Sequence, residues 1–171
     1  QTDEELKKNK ASLEKKASKR SPSAPFTTST LQQEASRKLR SSARQTMSIA
    51  QKLYENGFIT YMRTDSTHLS DEAISGSRKV IQDLYGDEFL PESPKQYTTK
   101  VRNAQEAHEA IRPAHRVFRT VKDVKTNLGD EAAKLYDLIW KRTVASQMKS
   151  AKLEQTSITI TNQKAEFRTI L

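Results

Sequence analysis

Two closely spaced prolines, Pro22 and Pro25, impose the clearest constraint on how this chain of 171 residues can fold. Each proline fixes its own φ angle and disfavours the α region for the residue before it, so no helix continues through this stretch. The preceding residues, from Glu4 to Lys19, are rich in charge and are either a helix end followed by an edge strand or a solvated basic arm. We therefore place a boundary near residue 24.

The pattern of hydrophobic residues changes again near the other end of the chain. Helical signals dominate from Phe26 to about Lys152, whereas Ser157–Thr161 alternates with β-branched residues before Ala165–Leu171, which predicts a β-hairpin. The predicted fold class is α+β and mostly α-helical. We expect three parts, which are a basic segment with a strand or linker over residues 1–24, a helical domain over 25–152 and strands over 153–171.

Capping residues set the predicted helix boundaries. Ser, Thr and Asn side chains accept hydrogen bonds from the first amides of a helix, and glycine tolerates the left-handed conformation that often ends one. These signals predict a helix from Thr30, whose capping partner is Gln33, to about Arg40, and a second helix over Ala43–Asn56. A third helix is predicted over Asp71–Tyr85, with Ser70 as its cap. A short helix begins at Asn103–Glu106 and ends at Pro113, and a long one begins at Asp130.

The first two predicted helices match a known DNA-binding arrangement. They are separated by Ser41-Ser42 and followed by an extended Phe58–Met62, which is the order of a helix-turn-helix and its wing. Two helices packed on a strand in any small α+β domain explain the same pattern equally well. The sequence leaves both architectures open.

The balance of charge indicates the kind of partner. The chain has 30 Lys and Arg residues against 21 Asp and Glu residues, and this net charge of +9 is typical of proteins that neutralise phosphates.

The chain has no cysteine, which excludes disulfides and thiolate metal sites. No stretch resembles a signal peptide or a membrane span, so we expect a cytoplasmic protein without a membrane partner. Because it starts at Gln1 and stops at Leu171 inside an apparent strand, we also expect a piece of a longer protein.

The run Gly57–Ser66 places a tyrosine and an arginine two positions apart. If this run is extended, Tyr61 and Arg63 lie on the same face, because side chains alternate along a strand. A nucleophile and a cation would then share one surface. The alternative is a short strand in which Ile59 and Tyr61 pack inward and Arg63 lies at the rim.

A second candidate site lies on the short helix predicted before Pro113. His108 and Arg112 are four residues apart and would share a helical face. A zinc-protease motif is excluded, because its second histidine would occupy position 112. Either the two side chains form an ordinary exposed or satisfied pair, or they are a phosphate clamp in which both donate to a phosphodiester.

Three stretches of the chain together resemble one family. Ser23–Ala35, Gly57–Ser66 and Ala104–Pro113 look like motifs of bacterial DNA topoisomerase I, the type IA enzymes, in the family's order and with plausible separations. Leu135–Trp140 is also similar to the family's following helix, so that the resemblance covers roughly Ser21–Lys152.

The resemblance implies roles for individual residues. Tyr61 matches the family's nucleophile, which attacks a phosphodiester of single-stranded DNA, forms a 5′-phosphotyrosyl intermediate and releases a 3′-hydroxyl before strand passage and religation. Arg63 would bind the scissile phosphate with its fork-shaped, permanently charged guanidinium. His108 is similar to the histidine that helps to position that phosphate, and Arg112 is a weaker candidate for a DNA contact. The implied protein relaxes negatively supercoiled or underwound DNA at the nucleoid.

The resemblance also implies an architecture and a cofactor. A winged-helix-like tyrosine domain is inserted in the family into a β-rich hinge domain, so Ala11–Lys19 and Glu154–Leu171 would be the two strand segments that connect to that hinge, with their entry and exit close together. The family binds Mg²⁺ through clustered carboxylates of a separate N-terminal domain with an Asp-x-Asp pattern, which this chain lacks. We therefore expect no metal site in this chain, interaction with the remaining domains of the same polypeptide, and no relaxation of supercoiled plasmid by the chain alone.

Two other functional classes explain part of the sequence. A non-catalytic winged-helix DNA-binding domain accounts for the charge and the helix-turn-helix pattern but has no need of Tyr61. A basic structural module accounts for the composition and the caps, and it predicts no preference for single strands.

Overall fold

The computed structural model describes residues 10–97, 108–161 and 165–170. The chain folds as two compact units. One is formed by the described residues within Gln1–Ser21 and Ser150–Leu171, and the other by those within Pro22–Lys149. The first unit is a β-sheet and the second is mainly helical.

The sheet has three antiparallel strands. They are β1 (Lys10–Arg20), β2 (Ala151–Thr161) and β3 (Glu166–Ile170), in the order β1-β2-β3. β1 pairs with β2 over its whole length, so that Arg20 lies opposite Ala151. The expectation that these two distant segments are neighbours is confirmed, and β1 is a paired strand instead of a solvated arm.

The second unit contains five α-helices and one 3₁₀ turn among its described residues. The helices are α1 (Thr28–Leu39), α2 (Ala43–Glu55), α3 (Asp71–Tyr85), α4 (Val121–Leu128) and α5 (Asp130–Ser146), and the 3₁₀ turn is Asp87–Phe89. The helices and the sheet confirm the predicted α+β, mostly helical fold class. In the described part of the chain, no helix has the length and apolar composition that crossing a membrane requires.

Most helix starts follow the predicted caps, and those of α2, α3 and α5 are confirmed. α1 begins earlier than predicted, because Thr27 and not Thr30 is its cap. The Thr27 hydroxyl accepts from the Thr30 amide while the Thr30 hydroxyl accepts from the Thr27 amide, which makes Thr30 the third helical residue. The sequence does not predict α4, although Thr120 and Asp123 form a second such box at its start. The predicted start at residues 103–106 lies outside the described residues.

The short helix predicted up to Pro113 is wrong where the structure describes it. Residues 108–113, the bridging segment, contain no helix and form two isolated antiparallel bridges, Ile111 with Phe26 and Pro113 with Ile59. Hydrogen bonds to neighbouring segments replace those that a helix would supply, which satisfies the same backbone groups.

The core of the helical unit combines side chains of α1, α2 and α5 with others from the loops between helices. Its buried members include Phe26, Leu31, Leu53, Met62, Ile111, Leu135 and Ile139. Burying one such side chain contributes roughly 1.5–3 kcal/mol. Tyr136 is also fully buried and donates its hydroxyl to the Arg119 carbonyl, and burial raises the pKa of this phenol. A substantial core therefore supports the loops that carry the candidate site residues.

α3 meets the loop after the bridging segment at Gly76. A Cβ atom added to Gly76 would overlap the Arg116 carbonyl oxygen and lie 3.2 Å from the Phe118 ring. The next residue, Ser77, is fully buried, and its hydroxyl has no hydrogen-bond partner among the described residues. Position 76 of α3 therefore has no room for a side chain, whereas position 77 carries a hydroxyl that makes no hydrogen bond among the described residues.

We expect Gly76→Ala to lower the free energy of unfolding and Ser77→Ala not to lower it. In a solvent-exposed helix, Gly→Ala stabilises the fold by about 1 kcal/mol. At position 76 the added methyl group overpacks the contact with Arg116, which costs roughly 1–3 kcal/mol and should outweigh that gain. Ser77→Ala removes an unpaired buried hydroxyl, so the free energy of unfolding should stay the same or rise. Urea unfolding followed by circular dichroism measures both variants. A Gly76→Ala variant as stable as the parent would contradict the overlap.

Candidate functional site

The tyrosine segment (Phe58–Thr64) follows α2, and its solvent-exposed side chains are those of Tyr61 and Arg63. Tyr61 is 49% exposed and Arg63 is exposed, whereas Met62 between them is only 3% exposed. Tyr61 and Arg63 therefore share the exposed side, as alternation predicts. The alternative in which Ile59 and Tyr61 both pack inward is wrong, because only Ile59 is buried. The segment forms one isolated bridge and no regular strand, and the winged-helix assignment stays a prediction.

The Tyr61 ring rests against the end of α2. Its centroid lies 5.2 Å from that of Tyr54, with the ring planes at 65°, which is an edge-to-face contact. Gly57 has a φ of 73°, a conformation that glycine adopts without strain, and it turns the chain directly after α2. This turn brings Tyr61 back beside Tyr54 while leaving about half of its surface open to solvent.

Thr28, in the first turn of α1, fixes the backbone on both sides of Arg63. Its hydroxyl donates to the Met62 carbonyl at 2.7 Å and accepts from the Thr64 amide at 2.9 Å. Its own amide donates to the Thr64 carbonyl, also at 2.9 Å. The start of α1 and the backbone around Arg63 are therefore held as one piece.

Thr60 joins the tyrosine segment to the bridging segment. Its hydroxyl donates to the Ala110 carbonyl at 2.7 Å and accepts from the Arg112 amide at 3.0 Å. Its amide donates to the Arg112 carbonyl, and the Ile111 amide donates to the Phe26 carbonyl. These bonds bring together residues from all three stretches that the sequence singles out.

Arg63 and His108 line the same cleft, which is open to solvent and about 540 Å³ in volume. The other lining residues are Thr27, Thr28, Ser29, Thr64 and Asp65. Thr27–Ser29 is the start of α1, where the helix dipole favours negative charge, and the first turn of α1 has no acidic residue. A guanidinium, an imidazole and a helix N-terminus therefore surround one space, which suits a phosphate although Asp65 also lines it.

The structure separates the predicted site residues. Arg63 and His108 line the cleft, whereas Tyr61 lies on the same segment without being part of the cleft wall. Arg112 does not line the cleft and is only 5% exposed. The helical face that Arg112 and His108 were expected to share does not exist, because the bridging segment is not helical. The assignment of Arg112 as a DNA contact stays an untested prediction.

Each nitrogen of the Arg112 guanidinium donates a hydrogen bond inside the protein. Nε and Nη2 bind the two Glu109 carboxylate oxygens at 3.0 and 3.1 Å, and Nη1 binds the Pro113 and His115 carbonyls at 2.9 and 3.2 Å. The Glu109 carboxylate also accepts from the Ser70 amide at 2.8 Å. Burial opposes ionisation of Glu109, but the bonds from Arg112 and Ser70 outweigh it and lower the pKa of that carboxyl.

Several residues that shape this site are not found from the sequence. Thr28 and Thr60 act through their hydroxyls on backbone that is distant along the chain. Glu109 is three residues before Arg112, but that spacing is also typical of an ordinary pair on a helix surface. Within residues 10–97, 108–161 and 165–170, no group of three His, Cys, Asp or Glu side chains could hold a metal ion.

Known proteins similar to this chain agree on one family. The family model described as DNA topoisomerase matches residues 3–170. DNA topoisomerase 1 of Synechocystis sp. is 59% identical over 155 residues, and that of Mycobacterium leprae is 56% identical over 156 residues. Each alignment covers 91% of this chain but only 17% and 16% of the respective relative, so the chain spans less than a fifth of their length.

A solved structure is also similar to this one. Full-length topoisomerase I from Thermotoga maritima matches it with a TM-score of 0.77 at 40% sequence identity. The match covers 94% of this chain and 26% of that chain. The likeness therefore includes nearly all of this chain.

Replacing Thr28 by valine should loosen the backbone around Arg63. Valine keeps the shape of the side chain but leaves the Met62 carbonyl and the Thr64 amide without the hydroxyl, at roughly 1–3 kcal/mol for unsatisfied buried groups. Thr28→Ser keeps the hydroxyl and should cost much less. Chemical denaturation measures the stability of both variants, and hydrogen exchange at the Thr64 amide locates the change. Equal stability of the two variants would show that the hydroxyl contributes nothing.

Proposed function

Since this chain belongs to the DNA topoisomerase family, we propose that it is the part of a type IA DNA topoisomerase that carries the nucleophile. The whole enzyme relaxes negatively supercoiled DNA by transient cleavage of one strand, passage of another and religation. One observation carries this proposal: Arg63 and His108 line a common cleft at the start of α1, and the exposed Tyr61 lies on the same segment as Arg63.

Tyr61 is the proposed nucleophile. Its phenol oxygen attacks the phosphorus of a DNA phosphodiester, and the bond from phosphorus to the 3′ oxygen breaks as the tyrosyl bond forms. The phenol gives up its proton and the leaving 3′ oxygen gains one, so the step consumes no net proton. Religation is the reverse attack by the 3′-hydroxyl. The half-exposed position of Tyr61 supports this role, because about half of its surface is open to an approaching strand.

Arg63 and His108 are the proposed phosphate ligands. The attacked phosphate gains negative charge in the transition state, and a guanidinium fork can donate two parallel hydrogen bonds to it. His108 adds a further donor, and the start of α1 adds its dipole. Thr28 supports this role for Arg63, because it fixes the surrounding backbone before DNA binds and so lowers the cost of reorganisation.

Magnesium is proposed to be bound by another part of the polypeptide. The residues that the structure describes do not fit a resident Mg²⁺ site, because they provide no cluster of three suitable side chains. We therefore expect the chain alone to bind single-stranded or underwound DNA weakly, with its net charge of +9 contributing, and to need the remaining domains for activity. The proposed location is the nucleoid in the cytoplasm.

Tyr61→Phe should abolish the covalent protein–DNA link. Phenylalanine keeps a ring beside Tyr54 but lacks the attacking oxygen. The measurement uses the full-length polypeptide, Mg²⁺ and a single-stranded oligonucleotide labelled at its 3′ end, with the adduct resolved on a denaturing gel. Tyr85→Phe is the matched control. Tyr85, the last residue of α3, is 45% exposed, and its ring contacts the ring of Phe89 in the 3₁₀ turn that follows.

Two results would contradict the proposal. A denaturant-stable adduct in the Tyr61→Phe variant would show that another residue is the nucleophile. Magnesium-dependent relaxation of plasmid by the chain of 171 residues alone would show that no further domain is needed.

Arg63→Lys should reduce cleavage while leaving the fold intact. Lysine keeps the charge but loses the planar fork, and removing one donor to transition-state charge costs roughly 100-fold in rate. Single-turnover cleavage measures the loss, and an unchanged urea-unfolding curve shows that the fold is retained. Arg37→Lys, on the exposed surface of α1, is the matched control. Unchanged cleavage by the Arg63 variant would remove Arg63 from the site.

A further inference from the structure

An ion pair that the proposed reaction does not use follows His108 in the chain. Glu109 and Arg112 form two parallel hydrogen bonds, and their side chains are 22% and 6% exposed. A pair this buried is weak evidence for stability, because removing two charges from water costs several kcal/mol per ion. Its effect on geometry is therefore the better guide to its role.

The pair connects the bridging segment to its surroundings. Glu109 binds the Ser70 amide, and Ser70 is the cap of α3, so the carboxylate attaches the segment to the start of that helix. Arg112 binds the Pro113 and His115 carbonyls and thereby fixes the turn that follows. Removing Glu109 leaves the buried Arg112 guanidinium with only the half-exposed Glu72, 3.9 Å away, as an acidic partner, and removing Arg112 takes two hydrogen bonds from the Glu109 carboxylate, so both attachments weaken together.

His108 has no such attachment of its own. Its side chain is exposed, and among the described residues its imidazole makes no hydrogen bond or ion pair. The next two residues are held by hydrogen bonds. The Glu109 carboxylate accepts from the Ser70 amide, and the Ala110 amide donates to the His68 carbonyl. The position of the imidazole at the cleft therefore depends on the backbone that Glu109 holds.

We propose that the Glu109–Arg112 ion pair is a positioning element that holds the bridging segment against the start of α3 and so places His108 beside Arg63. Its effect on the segment is independent of the proposed function, whereas its effect on DNA binding rests on that function. Without the pair, the bonds to Thr60 and Phe26 remain, so the unit stays folded while the His108 end of the segment loosens.

Hydrogen exchange tests the effect on the segment without any ligand. In Glu109→Gln and in Arg112→Lys, the Ser70 and Ala110 amides should exchange roughly tenfold faster, which corresponds to the loss of one buried hydrogen bond. Amides in the middle of α5 should keep their rates. Glu34→Gln is the matched control, because Glu34 is 15% exposed and pairs with Arg37 and Lys38 within α1.

Binding of a short oligothymidylate tests the effect on the site. NMR of the histidine rings in the chain follows His108 and compares its response with those of His68 and His115, since the chain has 3 histidines. In the parent, the His108 signals should move on titration more than the other two. In both pair variants, the dissociation constant read from His108 should rise roughly tenfold, and Glu34→Gln should leave it unchanged.

The outcomes separate this proposal from the proposed function. Parent-like exchange at Ser70 and Ala110 in both variants, or an equal acceleration throughout α5, would overturn the positioning role. Local acceleration with no His108 response to oligothymidylate in the parent would support positioning and count against the phosphate-binding role. If Glu109→Gln does not fold, Arg112→Lys, which keeps the buried charge, decides the exchange result.

Discussion

An extended segment in the interior of a protein must find partners for its backbone amides and carbonyls, and this requirement organises the helical unit. In the bridging segment, Ala110 binds His68, Ile111 binds Phe26 and Arg112 binds Thr60. Phe26 lies just before α1, Thr60 lies just after α2 and His68 lies just before α3. One short segment therefore connects the ends of three helices, and the cleft that Arg63 and His108 line lies at one of them, the start of α1.

The sequence predicts the parts of the fold that depend on local chemistry. Ser42, Ser70 and Gly57 act within a few residues of the helix ends they set, so the bounds of α2 and α3 follow from the sequence. The bridging segment does not, because its structure depends on partners elsewhere in the chain, and a short run ending at Pro113 fits a helix equally well. The start of α1 is ambiguous for another reason, since its first turns contain several threonines that could each be the cap.

The candidate site shows the same division. Tyr61, Arg63 and His108 are identified through resemblance to a family, and the burial pattern around Met62 agrees with the alternation expected there. Sequence patterns do not predict the Thr28 and Thr60 hydroxyl bonds, which join residues 34 and 50 positions apart. Arg112 obeys the rule that arginine is rarely buried unless it is paired, but the partner that satisfies the rule is visible only in the folded chain.

The pairing of β1 with β2 has a consequence for the order of folding. Lys15 and Glu154 are in contact across 139 positions of sequence, so β1 can pair with β2 only after a very long loop has closed. The helical unit lies inside that loop and has a core of its own, so its contacts can form early and shorten the distance that the strands must bridge. Any change that delays the collapse of the helices should therefore leave β1 and the facing edge of β2 unpaired during synthesis, when they are most able to associate with other chains.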